Sequence, residues 1–265
     1  MIICKSPREI ELMKESGRIV AECFKVLKAS IRPGITTKEL DDIAERTIRA
    51  EGGESAEKNY GADANGQGGF PGTICISVND TLIHGIPSKD IKLKEGDIVS
   101  FDIVVKKNGY MADACRTYGV GKISPEAERL MRVTQEAFFE GFKQVKAGNY
   151  VGDISHAIQQ HVEANGYSSP REYTGHGIGT HMHEDPYIPN VGSPKTGSLL
   201  RVGMTIAVEP MVNMGKHKTR VLSDGWTVKT RDGKLSCHYE NTIAITADGP
   251  IIITSYEGEE FHVKS

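Results

Sequence analysis

Apolar residues recur with helical spacing in four segments of the chain, and these segments form two pairs. Each pair starts with a long helix that follows a Ser-Pro step, because serine caps a helix and proline fits its first turn. The second helices are predicted over 37–50 and 151–164, with glycine as the stop signal. The Ser-Pro steps are at 6–7 and 124–125, and the glycines that follow the helices are Gly34, Gly52, Gly148 and Gly166.

The similarity between the two pairs extends to individual residues of the long helices. Leu12-Met13 recurs as Leu130-Met131, and the charged and aromatic residues that follow recur in the same order. The pattern predicts a duplicated unit within a single domain, residues 1–265, with pseudo-repeats over about 6–118 and 124–245. The alternative is chance similarity between amphipathic helices.

The repeat continues into the strands after each helix pair, where it aligns acidic residues. The segment that ends at Asp102 is similar to the segment that ends at Glu209. The next predicted strand in each half carries a second acid, Asp113 or Glu240. Each half is therefore predicted to contribute two helices and antiparallel strands that carry two carboxylates.

Two strands are predicted over 98–105 and 110–118, around the dipeptide Asn108-Gly109, which is typical of a two-residue hairpin turn. With that turn, Asp102 and Asp113 are diagonal neighbours on one face, about 7–8 Å apart at the backbone. A three-residue turn would place them on opposite faces. Because the strands are otherwise apolar, two buried carboxylates here require a counter-ion. The alternative is two solvated aspartates on an exposed face.

Five residues of the chain are candidate metal ligands. Four are carboxylates and one is an imidazole, an oxygen-rich set that suits divalent cations and is large enough for two of them. These candidates are Asp102, Asp113, His176, Glu209 and Glu240.

Composition narrows the class of protein. A chain of 265 residues can bury a substantial core, and its net charge of −3 argues against a sequence-specific nucleic-acid binder. The N-terminus lacks the apolar run of a signal peptide, and no stretch approaches a membrane span of about 18 apolar residues. The five cysteines contain no CxxC pair, so free thiols in a reducing cytoplasm are predicted.

Two further segments carry candidate chemistry. His176 lies among glycines, and His183 follows closely; histidines here can polarise a carbonyl or move protons, although a flexible turn is the simpler interpretation of either residue alone. His84 is a third candidate. The basic segment from Lys216 to Arg231 is either a solvated hairpin or a surface that docks to an anionic partner such as ribosomal RNA.

Taken together, the motifs resemble those of the bacterial type I methionine aminopeptidases over residues 3–255. Their order and spacing carry the resemblance, which implies the α/β (α+β) pita-bread fold, with two pseudo-symmetric halves around a curved antiparallel sheet and helices on the outer face. The motifs are His84-Gly85-Ile86-Pro87, Asp102, Asp113, 175–179, His183-Glu184, 209–213, 224–228 and 240–243.

The resemblance also implies roles for individual residues. The five candidate ligands would hold two divalent ions per chain (cobalt, manganese, iron or zinc), and a hydroxide held there would attack the first peptide carbonyl. Glu209 would act as base, and His84 and His183 would contact substrate. The methionine side chain would lie against Phe70, Cys75, Met211 and Trp226.

The implied activity is removal of N-terminal methionine from nascent polypeptides when the second residue is small, by a monomer in the cytoplasm. The alternatives are another pita-bread peptidase, such as a prolyl-specific aminopeptidase, and a non-catalytic binding module. The chain departs from the family pattern around the predicted ligands and in the polar, glycine-rich segment 61–69. The departing residues are Gln67, Val104, Ala112, Ala114, Cys115 and Asn241.

Overall fold

The computed structural model describes residues 1–255 and 259. Four long helices alternate with antiparallel strands, and the second helix of each pair has the predicted bounds. Within the described residues no helix is both long enough and apolar enough to cross a bilayer. The helices are α1 (Pro7–Ser30), α2 (Thr37–Ala50), α3 (Pro125–Phe142) and α4 (Val151–Ala164).

The two long helices begin as predicted but end differently. The Ser6 hydroxyl accepts the Glu9 N–H and the Glu9 carboxylate accepts the Ser6 N–H, which completes a capping box. The Ser124 hydroxyl likewise caps α3. α1 ends at Ser30 and α3 at Phe142, so both long helices end before the glycine predicted to stop them, and α3 ends further from Gly148 than α1 does from Gly34. After α3 the backbone turns through a tighter Val145 N–H to Phe142 carbonyl bond.

In the described part of the chain, fourteen strands form four antiparallel sheets, with the orders β1-β4-β2 plus β5 on β4, β14-β13-β8-β6-β7, β10-β11-β3 and β12-β9. The two larger sheets belong one to each half of the chain. The strands are β1 (Glu54–Ser55), β2 (Cys75–Val78), β3 (Thr81–Ile83), β4 (Ile98–Lys107), β5 (Tyr110–Gly119), β6 (Thr174–Gly177), β7 (Glu184–Pro189), β8 (Thr205–Val208), β9 (Met211–Asn213), β10 (Thr219–Val221), β11 (Val228–Thr230), β12 (Ser236–His238), β13 (Asn241–Thr246) and β14 (Gly249–Ile252).

The β4–β5 hairpin has the register predicted from its turn. Lys107 pairs with Tyr110, Val104 with Asp113 and Asp102 with Cys115. Asn108 and Gly109 have φ values of 51° and 83°, and two positive values in succession are characteristic of the type I′ turn that Asn-Gly favours. The two aspartates therefore lie on the same face of the hairpin.

Equivalent contacts recur in the two halves, in agreement with the repeat seen in the sequence. An isolated antiparallel bridge joins Thr36 to Lys92 in the first half, and a second joins Tyr150 to Leu199 in the other. Each bridge fixes the residue before a second helix against the segment that leads to an acid-bearing strand. The single-domain interpretation of residues 1–265 stays a prediction.

The two halves meet where their acid-bearing segments run side by side. The Cys115 N–H donates to the Glu240 carbonyl at 3.4 Å, and the Glu240 N–H donates to the Cys115 carbonyl at 3.0 Å. Behind this junction each half buries its own apolar cluster, one under α1 and α2 and the other under α3 and α4. The acids of both halves are thus held at one place by packed, rigid strands.

Candidate metal centre and substrate cavity

A cavity of about 260 Å³ opens over the junction between the two halves. All five predicted metal ligands line it, as do both predicted substrate-contacting histidines. A larger cavity, of about 720 Å³, lies among Arg116, Arg129 and Tyr239 and contains none of the predicted site residues. The smaller cavity is the candidate active site, because all five predicted metal ligands and both predicted substrate-contacting histidines converge there.

His176 lies at the centre of the acidic group. Its Nε2 is 3.6 Å from Asp113 Oδ2 and 3.6 Å from Glu209 Oε1. Its Nδ1 lies 2.8 Å from the Gly177 carbonyl, a bond that requires a proton on Nδ1 and leaves the Nε2 lone pair directed at the carboxylates. Orientation of a ligating histidine by a carbonyl on its other nitrogen is a usual feature of metal sites.

Burial raises the pKa of Asp102 and of Glu240 well above the ordinary carboxyl range, and the charges of Asp113 and Glu209 raise both further. Asp113 Oδ1 and Glu240 Oε1 are buried and have no hydrogen-bond partner among the described residues. Buried, unpartnered, mutually repelling oxygens need a cation. The donor set, oxygen with imidazole nitrogen, fits divalent ions of the manganese-to-zinc series.

A second buried histidine, His238, belongs to this group and was not predicted. Its Nε2 is 3.5 Å from Glu209 Oε2 and 3.8 Å from Glu240 Oε2. The potential ligand atoms form two sets, and the atoms within each set all lie within 4.8 Å of one another. One set comes from Asp102, His238 and Glu240, and the other from Asp113, His176 and Glu240. The sequence did contain a signal, because residues two apart on an extended segment face the same side.

His84 is placed in the cavity by a strained backbone. Its φ is 56°, in the left-handed region. Gly85 follows, where a Cβ would lie 2.1 Å from the Ile76 carbonyl oxygen, so only glycine fits. The Ile76 N–H donates to the Gly85 carbonyl at 2.9 Å and locks the turn. Burial lowers the pKa of His84 to about 4, helped by the nearby His238 and His183.

His183 borders the opposite side of the centre. Its ring packs edge-on against His176, with centroids 4.3 Å apart. Burial lowers the pKa of His183 to about 4, and the neighbouring His176 contributes. The hydroxyl of Tyr60 lies 2.6 Å from its Nδ1. Sequence reasoning missed Tyr60, because it lies in an irregular loop without a periodic pattern.

Three of the four predicted pocket residues line the cavity. Phe70, Cys75 and Trp226 do so, and the rings of Phe70 and Trp226 meet edge-on at 5.5 Å. Met211 lies behind the wall instead, fully buried with Leu82, Ile83 and Val228. Its effect on the cavity is therefore through packing.

Trp226 connects the cavity to the basic segment. It lies in the turn between β10 and β11, where Asp224 Oδ1 accepts the backbone N–H groups of Trp226 and Thr227. Its indole N–H donates to the Gly68 carbonyl at 3.2 Å. The glycine-rich segment 61–69, predicted only as a departure from the family pattern, thus supports one wall of the cavity.

Glu57 is a further residue of the cavity wall that the sequence did not indicate. It is 5% exposed, and its Oε1 accepts the Val104 N–H at 3.0 Å. Its Oε2 has no partner among the described residues. Burial raises its pKa well above the usual value, and the charges of Asp102 and Asp113 add to this.

Asn241, one of the departures near the ligands, belongs to a buried hydrogen-bond network. Asn241 Oδ1 accepts from Arg116 at 2.7 Å and from the Thr254 hydroxyl at 2.8 Å. Arg116 also donates to the Glu240 carbonyl at 2.5 Å. The buried guanidinium therefore holds the Glu240 carbonyl and the Asn241 side chain together, directly beside a predicted ligand.

Known proteins share this sequence and architecture. The family model of metallopeptidase family M24 matches residues 11–247. A methionine aminopeptidase of Clostridium perfringens is 52% identical over 254 residues, 96% of this chain and 99% of that protein. The methionine aminopeptidase structure from Thermotoga maritima superposes with a TM-score of 0.92 at 41% identity, over 97% of this chain and all of that one.

A prolidase from Pyrococcus furiosus shares the fold at a TM-score of 0.76, with 21% identity over 96% of this chain and 66% of that one. These likenesses confirm the predicted pita-bread fold. This chain aligns with almost the full length of the methionine aminopeptidases in both sequence and structure. It aligns with only 66% of the prolidase, which shares the architecture alone. The chain belongs to metallopeptidase family M24 and, within it, to the type I methionine aminopeptidases.

Proposed function

We propose that Asp102, Asp113, His176, Glu209 and Glu240 hold two divalent ions and that the cavity above them binds the N-terminal methionine of a nascent polypeptide. The observation that carries this proposal is the convergence of both halves' acids on one cavity, with buried carboxylate oxygens that lack partners. When bound, the ions would lower the pKa of a coordinated water and polarise the scissile carbonyl.

Glu209 is the residue best placed to move protons. Its two oxygens face different imidazoles, Oε1 toward His176 and Oε2 toward His238. Its side chain is 11% exposed and lies at the edge of the cavity, so it can take a proton from the attacking water and pass it to the leaving amine. The Asn190 side chain donates to the Glu209 carbonyl at 2.9 Å and fixes the backbone there.

His84 and His183 would bind the scissile amide from two sides. With pKa values lowered to about 4, both are neutral at pH 7, and a neutral imidazole can donate one proton and accept another. His183 would donate to the carbonyl oxygen as negative charge develops on it. His84 would contact the amide nitrogen.

The apolar wall would select the first side chain. Phe70 and Trp226 form an edge-to-face corner, and Cys75, which pairs with Asp102 between β2 and β4, lies beside the ligands. An unbranched thioether fits a narrow apolar slot that excludes β-branched side chains. Limited room between His84 and His183 would favour a small second residue.

Three finer points are also proposals. Manganese, iron, cobalt and zinc all accept mixed carboxylate and imidazole ligands, so any of them would serve. The basic segment from Lys216 to Arg231 would lie on the ribosome surface beside the emerging chain, although Lys229 already pairs with Asp80 at 2.9 Å. The protein would act as a cytoplasmic monomer.

The test is cleavage of Met-Ala-Ser by the metal-free protein after addition of each metal in turn, with Ala-Pro peptides as the competing substrate. We expect metal-dependent release of methionine and at least about a hundredfold preference over the prolyl peptide. Glu209→Gln should abolish turnover with an unchanged circular dichroism spectrum. Preference for the prolyl peptide, or absence of metal binding, would refute the proposal.

A further inference from the structure

His238 is buried in the acidic cluster, with an imidazole nitrogen that has nothing to bond. The residue is 2% exposed, and its Nε2 has no hydrogen-bond partner among the described residues. A histidine that only fills a core normally satisfies both ring nitrogens, because an unpartnered buried polar atom destabilises the fold. The position of this nitrogen therefore calls for a ligand.

The surroundings of Nε2 identify the kind of ligand. Carboxylate oxygens of Glu209 and Glu240 lie 3.5 and 3.8 Å away, and a ligand atom of Asp102 completes the set within 4.8 Å. These separations are too long for direct hydrogen bonds of good geometry. They suit atoms that surround one cation, since two ligands each about 2.0–2.2 Å from a metal lie about 3–4 Å apart.

Hydrogen bonds from both halves of the chain hold the His238 backbone in place. The Thr117 hydroxyl donates to the His238 carbonyl at 2.8 Å, and β12 pairs His238 with Met211. His238 and Glu240 are two residues apart on an extended segment, so their side chains project to the same side. The backbone that positions one ligand thus also positions the other.

We propose that His238 is a sixth ligand of the metal centre, which gives each of the two ions one imidazole. The inference rests on the proposed function above. One ion would take nitrogen from His176, with Asp113 and Glu240, and the other nitrogen from His238, with Asp102 and Glu240. A second nitrogen would favour the borderline metals iron, cobalt and zinc over magnesium and calcium at that site.

The alternative role for His238 is to hold Glu209 by a hydrogen bond when the metals bind. Both roles predict lower activity on substitution, so activity does not distinguish them. Glutamine at position 238 can donate to Glu209 but is a poor substitute for imidazole as a metal ligand. The number of imidazoles around the ions distinguishes the two roles directly.

The first measurement is X-ray absorption of the wild-type protein loaded with Co²⁺, in which outer-shell scattering counts imidazoles per metal. Ligation by His238 predicts an average of one imidazole per ion. An average of one imidazole for every two ions would overturn the proposal. Because this measurement needs no variant, failure of a variant to fold does not affect it.

The second measurement is calorimetric titration of metal-free protein with Co²⁺. His238→Gln should weaken one of the two binding events at least about tenfold, while His181→Gln, a change at an exposed histidine on the neighbouring loop, should match the wild type. Unchanged affinity in His238→Gln would overturn the proposal. His176→Ala is titrated in parallel: if it also binds normally, the ligand set of the proposed function fails, and if it alone loses metal, only the role of His238 fails.

Discussion

The hydroxyl of Tyr60 lies 2.6 Å from Nδ1 of His183, although the two residues are 123 positions apart in the chain. Burial raises the pKa of Tyr60, so its hydroxyl keeps its proton. We infer that this hydroxyl donates to Nδ1, which leaves Nδ1 as the acceptor. A neutral His183 must then carry its own proton on Nε2. The loop that contains Tyr60 therefore sets the tautomer of a histidine proposed to donate to the substrate carbonyl.

Tyr60→Phe is expected to lower kcat/KM about three- to tenfold, the value of one hydrogen bond that orients a catalytic group. In long-range ¹⁵N–¹H spectra, His183 should shift from one tautomer to a mixture of two. Tyr187→Phe is the matched control, because Tyr187 lines the same cavity and the residue is 70% exposed. An unchanged tautomer in Tyr60→Phe would show that the hydroxyl does not direct the imidazole.

Lys5 and Glu184 form a buried ion pair at 2.5 Å, with side chains 3% and 6% exposed. Glu184 directly follows His183, and its other oxygen lies 3.2 Å from the His181 N–H. Lys5→Met leaves a buried carboxylate without its partner, which should lower the free energy of unfolding by about 3–5 kcal/mol. Urea denaturation measures this, and the double variant with Glu184→Gln should recover part of the loss. A loss in the double variant equal to the sum of the losses in the two single variants would mean that the pair has no coupling.

How much the sequence could predict depended on the range of the interactions. The register that brings Asp102 beside Asp113 follows from a two-residue turn, so a local signal was sufficient. The contact of Tyr60 with His183 depends on the path of an irregular loop, and no periodicity reports that path. His238 falls between these cases: its spacing from Glu240 was visible, but only the junction of the two halves showed that both face the centre.

The same contrast between local and long-range interactions explains which pocket residues the sequence could predict. Phe70 and Trp226 could be assigned from the family resemblance, whereas Glu57 could not, because its position depends on how β1 leads into the glycine-rich loop. For Met211 the resemblance identified the right region but not the contact, because the side chain packs into the layer behind the cavity wall. Motifs locate a site to within a strand, and packing decides which side chains line it.

The capping box at the start of α1 predicts a pH-dependent contribution to stability. The Ser6 N–H and hydroxyl, together with the Tyr110 hydroxyl, lower the pKa of Glu9 from 4.5 to about 2. The ionised form is therefore favoured in the folded state, so this stabilisation is complete above pH 4.5 and is lost as the pH falls toward 2. Glu9→Gln should lower the free energy of unfolding by about 0.5–1 kcal/mol at pH 7, because Glu9 is only partly buried.

The difference between Glu9→Gln and the wild type should shrink in denaturation curves recorded at pH 3. Glu11→Gln is the control, since Glu11 is also on the first turns of α1 but its carboxylate accepts from Lys14, at 2.7 Å on the exposed face. A pH-independent loss in Glu9→Gln would attribute the effect to geometry rather than to charge.

Removal of the metals should destabilise the protein strongly, because the ions are expected to neutralise a buried cluster of carboxylates. At a free metal concentration about a hundredfold above Kd, each ion contributes about 2.7 kcal/mol to the free energy of unfolding. Thermal denaturation with and without Mn²⁺ measures the effect, and it should disappear in Asp113→Asn. A melting temperature that is independent of Mn²⁺ in the wild type would refute metal binding by this cluster.

Replacement of Glu57 by glutamine should stabilise the metal-free protein more than the metal-loaded protein. Its folded-state pKa is raised, chiefly by burial and then by the charges of Asp102 and Asp113, so Glu57 destabilises the fold increasingly as the pH rises above 4.5. Glu57→Gln removes the charge and keeps an acceptor for the Val104 N–H. In metal-free protein the variant should be more stable by about 1–3 kcal/mol at pH 8, and by less at pH 5.

With metal bound, Asp102 and Asp113 no longer repel Glu57 fully, so the stabilisation of Glu57→Gln should diminish, and the variant should gain less from added Mn²⁺ than the wild type does. Glu45→Gln provides the comparison, since Glu45 is partly exposed and already paired with Lys58 at 3.2 Å. If Glu57→Gln is destabilised in the metal-free state, the carboxyl must be held by a favourable interaction in the cavity. Glu57 would then be a cation-facing group of the site rather than a destabilising acid beside it.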